Sequence, residues 1–138
     1  MLKEISNTGC HKIPEMQTIK IVVVGDNGVG KSCLILSYST NSFPSPDCLL
    51  SICDNYYRDY TANGLPFRLH VFDTTGKDEY KHLRSLSYPL TDVFIVCFDI
   101  SNRTSFSNVK DIWLPELRQS MPEAPILLVA TKIDLRSQ

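Results

Sequence analysis

The chain has 138 residues, 43% of them hydrophobic and 21% charged, with a net charge of -1. That size and balance fit a single soluble globular domain with room for a core, and the near-neutral charge excludes a general attraction to nucleic acid or acidic lipid. Five cysteines (Cys10, Cys33, Cys48, Cys53 and Cys97) are odd in number and lack zinc-type pairing, which points to a reducing, cytoplasmic setting. No apolar stretch has the length of a membrane span. Leu2 excludes N-myristoylation and the C-terminal Leu135-Arg136-Ser137-Gln138 is no prenylation box, so the sequence shows no membrane anchor.

In chain order, residues 1–17 carry mixed charge without an apolar core and read as a flexible arm ahead of one domain at 18–138. Thr18–Val24 is a nearly unbroken apolar run, the pattern of a parallel strand covered on both faces. Directly after it, Gly25-Asp26-Asn27-Gly28-Val29-Gly30-Lys31-Ser32 spells G-x-x-x-x-G-K-S, and Leu34, Ile35, Leu36 and Tyr38 follow as a helix. Strand, glycine loop and helix in that order form a phosphate cradle: backbone N–H groups turn inward, and the helix adds its positive end. Lys31 would reach the β- and γ-phosphates and the Ser32 hydroxyl would ligate Mg²⁺.

Tyr56–Ala62 and Pro66–Phe72 flank Asn63-Gly64, a strong hairpin signal. Asp73-Thr74-Thr75-Gly76 then ends a strand with a carboxylate suited to hold Mg²⁺ through water. Val93–Phe98 is a buried strand, with Cys97 as a small core residue. Phe106, Val109, Ile112, Trp113 and Leu117 recur at helical spacing behind a Ser101/Thr104 start signal, and are read as core packing. Pro115 should kink or reset that helix. The last strand, Ile126–Ala130, leads into Thr131-Lys132-Ile133-Asp134. There an aspartate can accept both N1–H and the exocyclic N–H₂ of guanine, which adenine does not offer, and the Lys132 stem can lie along the base. His70 reads as a strand residue and His82 as solvent-facing. Alternating elements imply an α/β fold with a mainly parallel sheet of about five strands and one antiparallel hairpin strand. The three motifs all fall at strand ends, where such sheets bind ligands.

Three motifs in this order resemble the Ras superfamily of small GTPases. The Rho branch is the nearest in pattern, through Phe43-Pro44, Asp54-Asn55-Tyr56, Leu83-Arg84, Ser87-Tyr88-Pro89, Thr91-Asp92-Val93-Phe94, Trp113 with Pro115-Glu116, and Thr131-Lys132-x-Asp134. The resemblance covers residues 19–136. It implies a P-loop NTPase fold that binds GTP or GDP with Mg²⁺. Asn27, Gly28, Val29, Gly30, Lys31, Ser32 and Cys33 would cradle the phosphates, with Asp73, Thr74, Thr75 and Gly76 facing them. Phe43, Thr131, Lys132 and Asp134 would hold the guanine. Ser51 aligns with the switch I threonine, giving a metal set of Ser32, Ser51 and, through water, Asp73. Effectors and regulators would meet Ser51–Tyr56 and the switch II stretch Thr75–Pro89.

Departures from the family pattern matter as much as the match. Lys77 stands where the family has a water-orienting glutamine, and an ammonium has donors only. Asn27 replaces a glycine and would crowd the γ-phosphoryl group and an incoming arginine finger. Thr75 replaces a small alanine, and Ser51 follows Leu50 rather than proline, in a switch I one residue longer than usual. These changes predict a Rho-like switch with impaired hydrolysis and no confident catalytic residue. The chain also stops four residues after Asp134. The family's insert helix, guanine-O6 loop, sixth strand, final helix and lipidated tail are therefore not represented, and a contiguous apolar patch is expected. The alternative is a pseudo-GTPase, an interaction module with weak or no nucleotide binding. A P-loop ATPase is disfavoured by Asp134.

Overall fold

The computed structural model describes residues 16–45 and 55–137. Cys10, His11, Cys48, Ser51, Cys53 and Asp54 lie outside the described residues, as does nearly all of the expected arm. β1 (Gln17–Gly25) begins one residue before the apolar run and leads through the glycine loop into α1 (Lys31–Thr40). β2 (Tyr56–Ala62) and β3 (Leu65–Asp73) form the hairpin. Asn63 and Gly64 at its turn have φ of 52° and 77°, the left-handed pair that a type I′ turn requires. A 3₁₀ turn (Asp78–Tyr80) and the short α2 (Lys81–Ser85) precede β4 (Val93–Asp99). β5 (Ile126–Thr131) and a 3₁₀ turn (Ile133–Ser137) end the described chain.

The sheet runs β2-β3-β1-β4-β5, parallel throughout except for β2 against β3. This is the mainly parallel five-strand α/β sheet that the sequence predicts. β1 is central and covered on both faces, so Val22, Val23 and Val24 are all at most 1% exposed and show no alternation. One face packs Val22, Val24, Phe94 and Val96 against Tyr88, Val109, Trp113 and Leu117. The other packs Val23, Val71 and Cys97 against Val29 and Ile35. Burial pushes the Cys97 thiol up to about 11, which leaves it an inert core group.

Between β4 and β5 a continuous helical stretch joins α3 (Arg103–Asn108), a π turn (Val109–Trp113) and α4 (Leu114–Ser120). Pro115 has no N–H to give to the preceding turn, and the Leu114 N–H bonds back to Val109 O, five residues away. The proline thus resets the helix through a widened turn. The start differs from the expected Ser101/Thr104: Asn102 caps, its side chain accepting from the Ser105 N–H at 3.2 Å. The apolar stripe also needs correction. Val109, Trp113 and Leu117 are buried, but Phe106 is 53% and Ile112 37% exposed. Ile112 lies within the widened turn, which takes it out of line, and Phe106, ahead of that turn, rests against Phe98, with ring centroids 4.9 Å apart.

β5 has one strand neighbour, and its Leu127 and Leu128 are exposed. An apolar cavity of about 320 Å³ opens on the α1 side of the sheet, between Leu34, Tyr38, Tyr56 and Ile95 among others. Among the described residues no helix is long and apolar enough to cross a membrane.

Candidate functional site

Parallel strands end on one side of the sheet, so the loops after β1, β3 and β5 meet there. Gly28 (φ 78°) and Gly30 (φ 98°) take the left-handed turns that curl the first loop around its own centre. Lys31, the first residue of α1, is buried. Its Nζ donates to the carbonyls of Gly25 and Asp26, both at 2.8 Å. Burial lowers the Lys31 pKa, against the opposing pull of Asp73.

Asp73 closes β3 beside it. Its Oδ2 accepts a hydrogen bond from Ser32 Oγ, while Oδ1 is buried without a partner among the described residues. Burial raises the Asp73 pKa although Ser32 and Lys31 both oppose it. A desolvated carboxylate with an orphaned oxygen, next to a hydroxyl, fits a hard divalent cation such as Mg²⁺. Thr74 is locked by a 2.6 Å bond to Val23 O. Gly76 leaves no room for a side chain: a Cβ there would lie 2.4 Å from Asn27 N and from Gly25 O. The loop after β3 therefore lies directly on the glycine loop. Asn27, Gly28, Gly30, Lys31, Ser32, Cys33, Asp73, Thr74, Thr75 and Gly76 together line a cavity of about 350 Å³.

A second cavity of about 440 Å³ shares Gly30 and Cys33 with the first, and adds Phe43, Thr131, Lys132 and Asp134. Phe43 projects from the loop after α1 and is 83% exposed. Thr131 Oγ1 lies 2.5 Å from Val29 O and 2.9 Å from Phe98 O, so the end of β5 is pinned to the glycine loop. Lys132 holds a left-handed backbone (φ 55°), and its Nζ pairs with Asp99 at 2.7 Å. That ammonium, with the Ser101 hydroxyl and N–H, brings the Asp99 carboxyl down to about 2. Every described residue singled out from the sequence as a nucleotide contact except Val29 lines one of the two joined cavities. Val29 is buried beneath them, and its carbonyl faces Thr131.

A model of the Ras family matches residues 20–138. The chain belongs to the Ras family. It is therefore a small GTPase in the general sense of that family, whose members bind guanine nucleotide, generally with Mg²⁺, and meet regulators and effectors. The two cavities lie side by side, one lined by the glycine loop and the loop after β3, the other flanked by the Phe43 ring and the Asp134 carboxylate.

Side chains outside the motifs support this site, and sequence reading missed them as a group. Asp26 Oδ1 accepts from Trp113 Nε1 and Oδ2 from Asn108 Nδ2, each at 2.7 Å. Arg84 makes a bidentate pair with Glu116 (2.8 and 2.8 Å), which also accepts from the Tyr88 hydroxyl at 2.6 Å. Arg84 further donates to Lys77 O at 2.9 Å and lies 4.7 Å from the Trp113 ring centre. These partners are 28 to 87 residues apart along the chain except for Arg84 and Lys77, which are seven apart. No local pattern could pair them; the one available signal was an Asp in a phosphate loop, where a negative charge needs a reason.

Proposed function

We propose that the chain is a Rho-like guanine-nucleotide switch that hydrolyses GTP poorly. Lys77 carries the second half of this reading. It directly follows Gly76, which lies on the phosphate loop beside Asn27, so its position borders the γ-phosphate end of the cradle. Its exposed ammonium lies 4.0 Å from Glu79 and 6.0 Å from the Tyr80 ring centre, and has no lone pair to hold an attacking water. The Thr75 hydroxyl accepts from the Lys77 N–H at 3.3 Å, a contact that an alanine could not make. Asn27, exposed at the same rim, adds bulk where a transition state would spread.

For the Rho reading, the support is convergence. Arg84, Tyr88, Trp113 and Glu116, named from scattered stretches of sequence, form one contact cluster under the Thr75–Pro89 segment. In the bound state Lys31 would leave its two carbonyls for the phosphates. Ser32 and, through water, Asp73 would hold Mg²⁺ together with Ser51, and the ion would neutralise charge on the β- and γ-oxygens. Asp134 would accept from guanine, between Phe43 and the Lys132 stem.

Single-turnover GTP hydrolysis by the unmodified chain and by Lys77→Gln/Asn27→Gly tests the reading. The double variant should turn over roughly tenfold faster or more. Equal rates would sink the explanation by lost water positioning. A folded chain that holds no GTP analogue would instead favour an interaction module.

A further inference from the structure

We infer that Trp113 is a positioning residue for the phosphate loop, acting through the Asp26 carboxylate. The inference rests on reading that loop as the nucleotide site. A carboxylate in a loop built to receive phosphate is electrostatically unfavourable unless its charge is turned away and neutralised. Here both oxygens point to the helical stretch, one to Trp113 Nε1 and one to Asn108 Nδ2. Its carbonyl meanwhile accepts from Lys31 Nζ at 2.8 Å. Asp26, along with the buried Val29, is thus one of the few side chains by which the glycine-rich loop is bolted to the packed core.

The π turn makes the grip feasible. Asn108 and Trp113 are five residues apart, and on a regular α-helix would point about 140° away from each other. The widened turn, bonded Leu114 N–H to Val109 O, brings them back to one side. The sole tryptophan of the chain is 1% exposed, with its N–H on Asp26 and its ring under Arg84, whose guanidinium also holds Lys77 O. One indole therefore braces the phosphate loop on one side and the backbone of Lys77 on the other.

Trp113→Phe keeps a ring and removes the N–H. In the 138-residue chain it should release a fluorescent GDP analogue roughly tenfold faster, and Asp26→Ala should do the same. The double variant should be no worse than Asp26→Ala, which already removes the Trp113 bond together with that of Asn108. Asp26→Asn retains an acceptor for the indole N–H, and Asn108 can flip its amide to accept, so release should return to near the unmodified rate. Amide hydrogen exchange over residues 25–31 provides a readout that needs no nucleotide, and should quicken in Trp113→Phe and Asp26→Ala. Unchanged exchange and unchanged release in a folded Trp113→Phe overturn the inference, as do additive effects in the double variant. If the unmodified chain holds no nucleotide, the site reading fails while exchange still decides the role of Trp113. Should Trp113→Phe not fold, Asp26→Ala compared with Asn108→Ala decides by the same exchange. Asn108→Ala keeps the indole bond, so exchange faster in Asp26→Ala than in Asn108→Ala supports the role of Trp113, and equal exchange overturns it.

Discussion

Two charged clusters are buried in this small domain, and they are built in opposite ways. In the first, Arg84, Glu116 and Tyr88 satisfy one another through bonds of 2.6 to 2.8 Å. Burial would push the Glu116 carboxyl up, but the Arg84 and Tyr88 hydrogen bonds hold it below its ordinary value. Arg84 likewise stays raised despite its burial, because of Glu116. In the second cluster, Lys31 and Asp73 are both pushed toward neutrality by burial, and Asp73 Oδ1 is buried with no hydrogen-bond partner among the described residues. The closed cluster is a structural clasp between the Thr75–Pro89 segment and α4. The open one stores an electrostatic demand that a cation and an anion together would meet, which is what Mg²⁺ and a nucleotide offer.

The largest expected effect therefore falls on the closed cluster. Glu116→Ala leaves a buried guanidinium without its counter-charge and a buried phenol without its acceptor, and should cost about 3–5 kcal/mol in urea unfolding. A loss under 1 kcal/mol would mean that the clasp is no more than surface pairing. Lys31→Met should behave in the reverse manner. Analogue binding should weaken by about a hundredfold or more, since a charge-assisted phosphate contact is lost, while urea unfolding of the nucleotide-free chain should show no loss of stability. Destabilisation by both substitutions would erase the distinction between clasp and cradle.

How much of this was legible beforehand follows from range along the chain. The P-loop, the Asn63-Gly64 hairpin and the buried strands are written in contiguous residues, and the mainly parallel sheet follows from their alternation, whereas the strand order comes from pairings distant in the chain. Asp73 and Asp134 were legible because one ends a strand and the other lies three residues past one. Ile112 was misplaced because periodicity assumes 3.6 residues per turn and the π turn changes the pitch midway, while Phe106, ahead of that turn, packs on Phe98 at the surface. Trp113 was read as core, correctly for its ring, but its N–H finds a partner 87 residues away. Ser51, central to the expected metal set, lies outside the described residues.

Asp73→Asn sharpens the comparison on a smaller scale. Removing charge from a carboxylate with an orphaned buried oxygen should stabilise the nucleotide-free chain by about 1 kcal/mol. It should also abolish any gain in melting temperature that Mg²⁺ adds to GDP. An unchanged Mg²⁺ effect would place the cation elsewhere.

The least effect, and the finest test, is in the pH dependence of folding. Asp73 binds its proton more tightly in the native state than when unfolded, so its contribution favours the fold at low pH and fades as pH rises from about 4 through its raised native value. Glu116 and Asp99 have depressed native values. Their contributions are complete above about 4 and are lost as pH falls further, for Asp99 through about 2. Burial lowers the native value of His70, so its contribution is lost as pH falls below about 6.5. Set against that loss, urea unfolding of the nucleotide-free chain should show a small rise in stability from Asp73 as pH drops toward 4, then a steeper fall below 4. In Asp73→Asn the rise should vanish and the fall remain. If the acid fall vanishes with it, the two clusters titrate as one unit, and the separation of clasp from cradle is wrong.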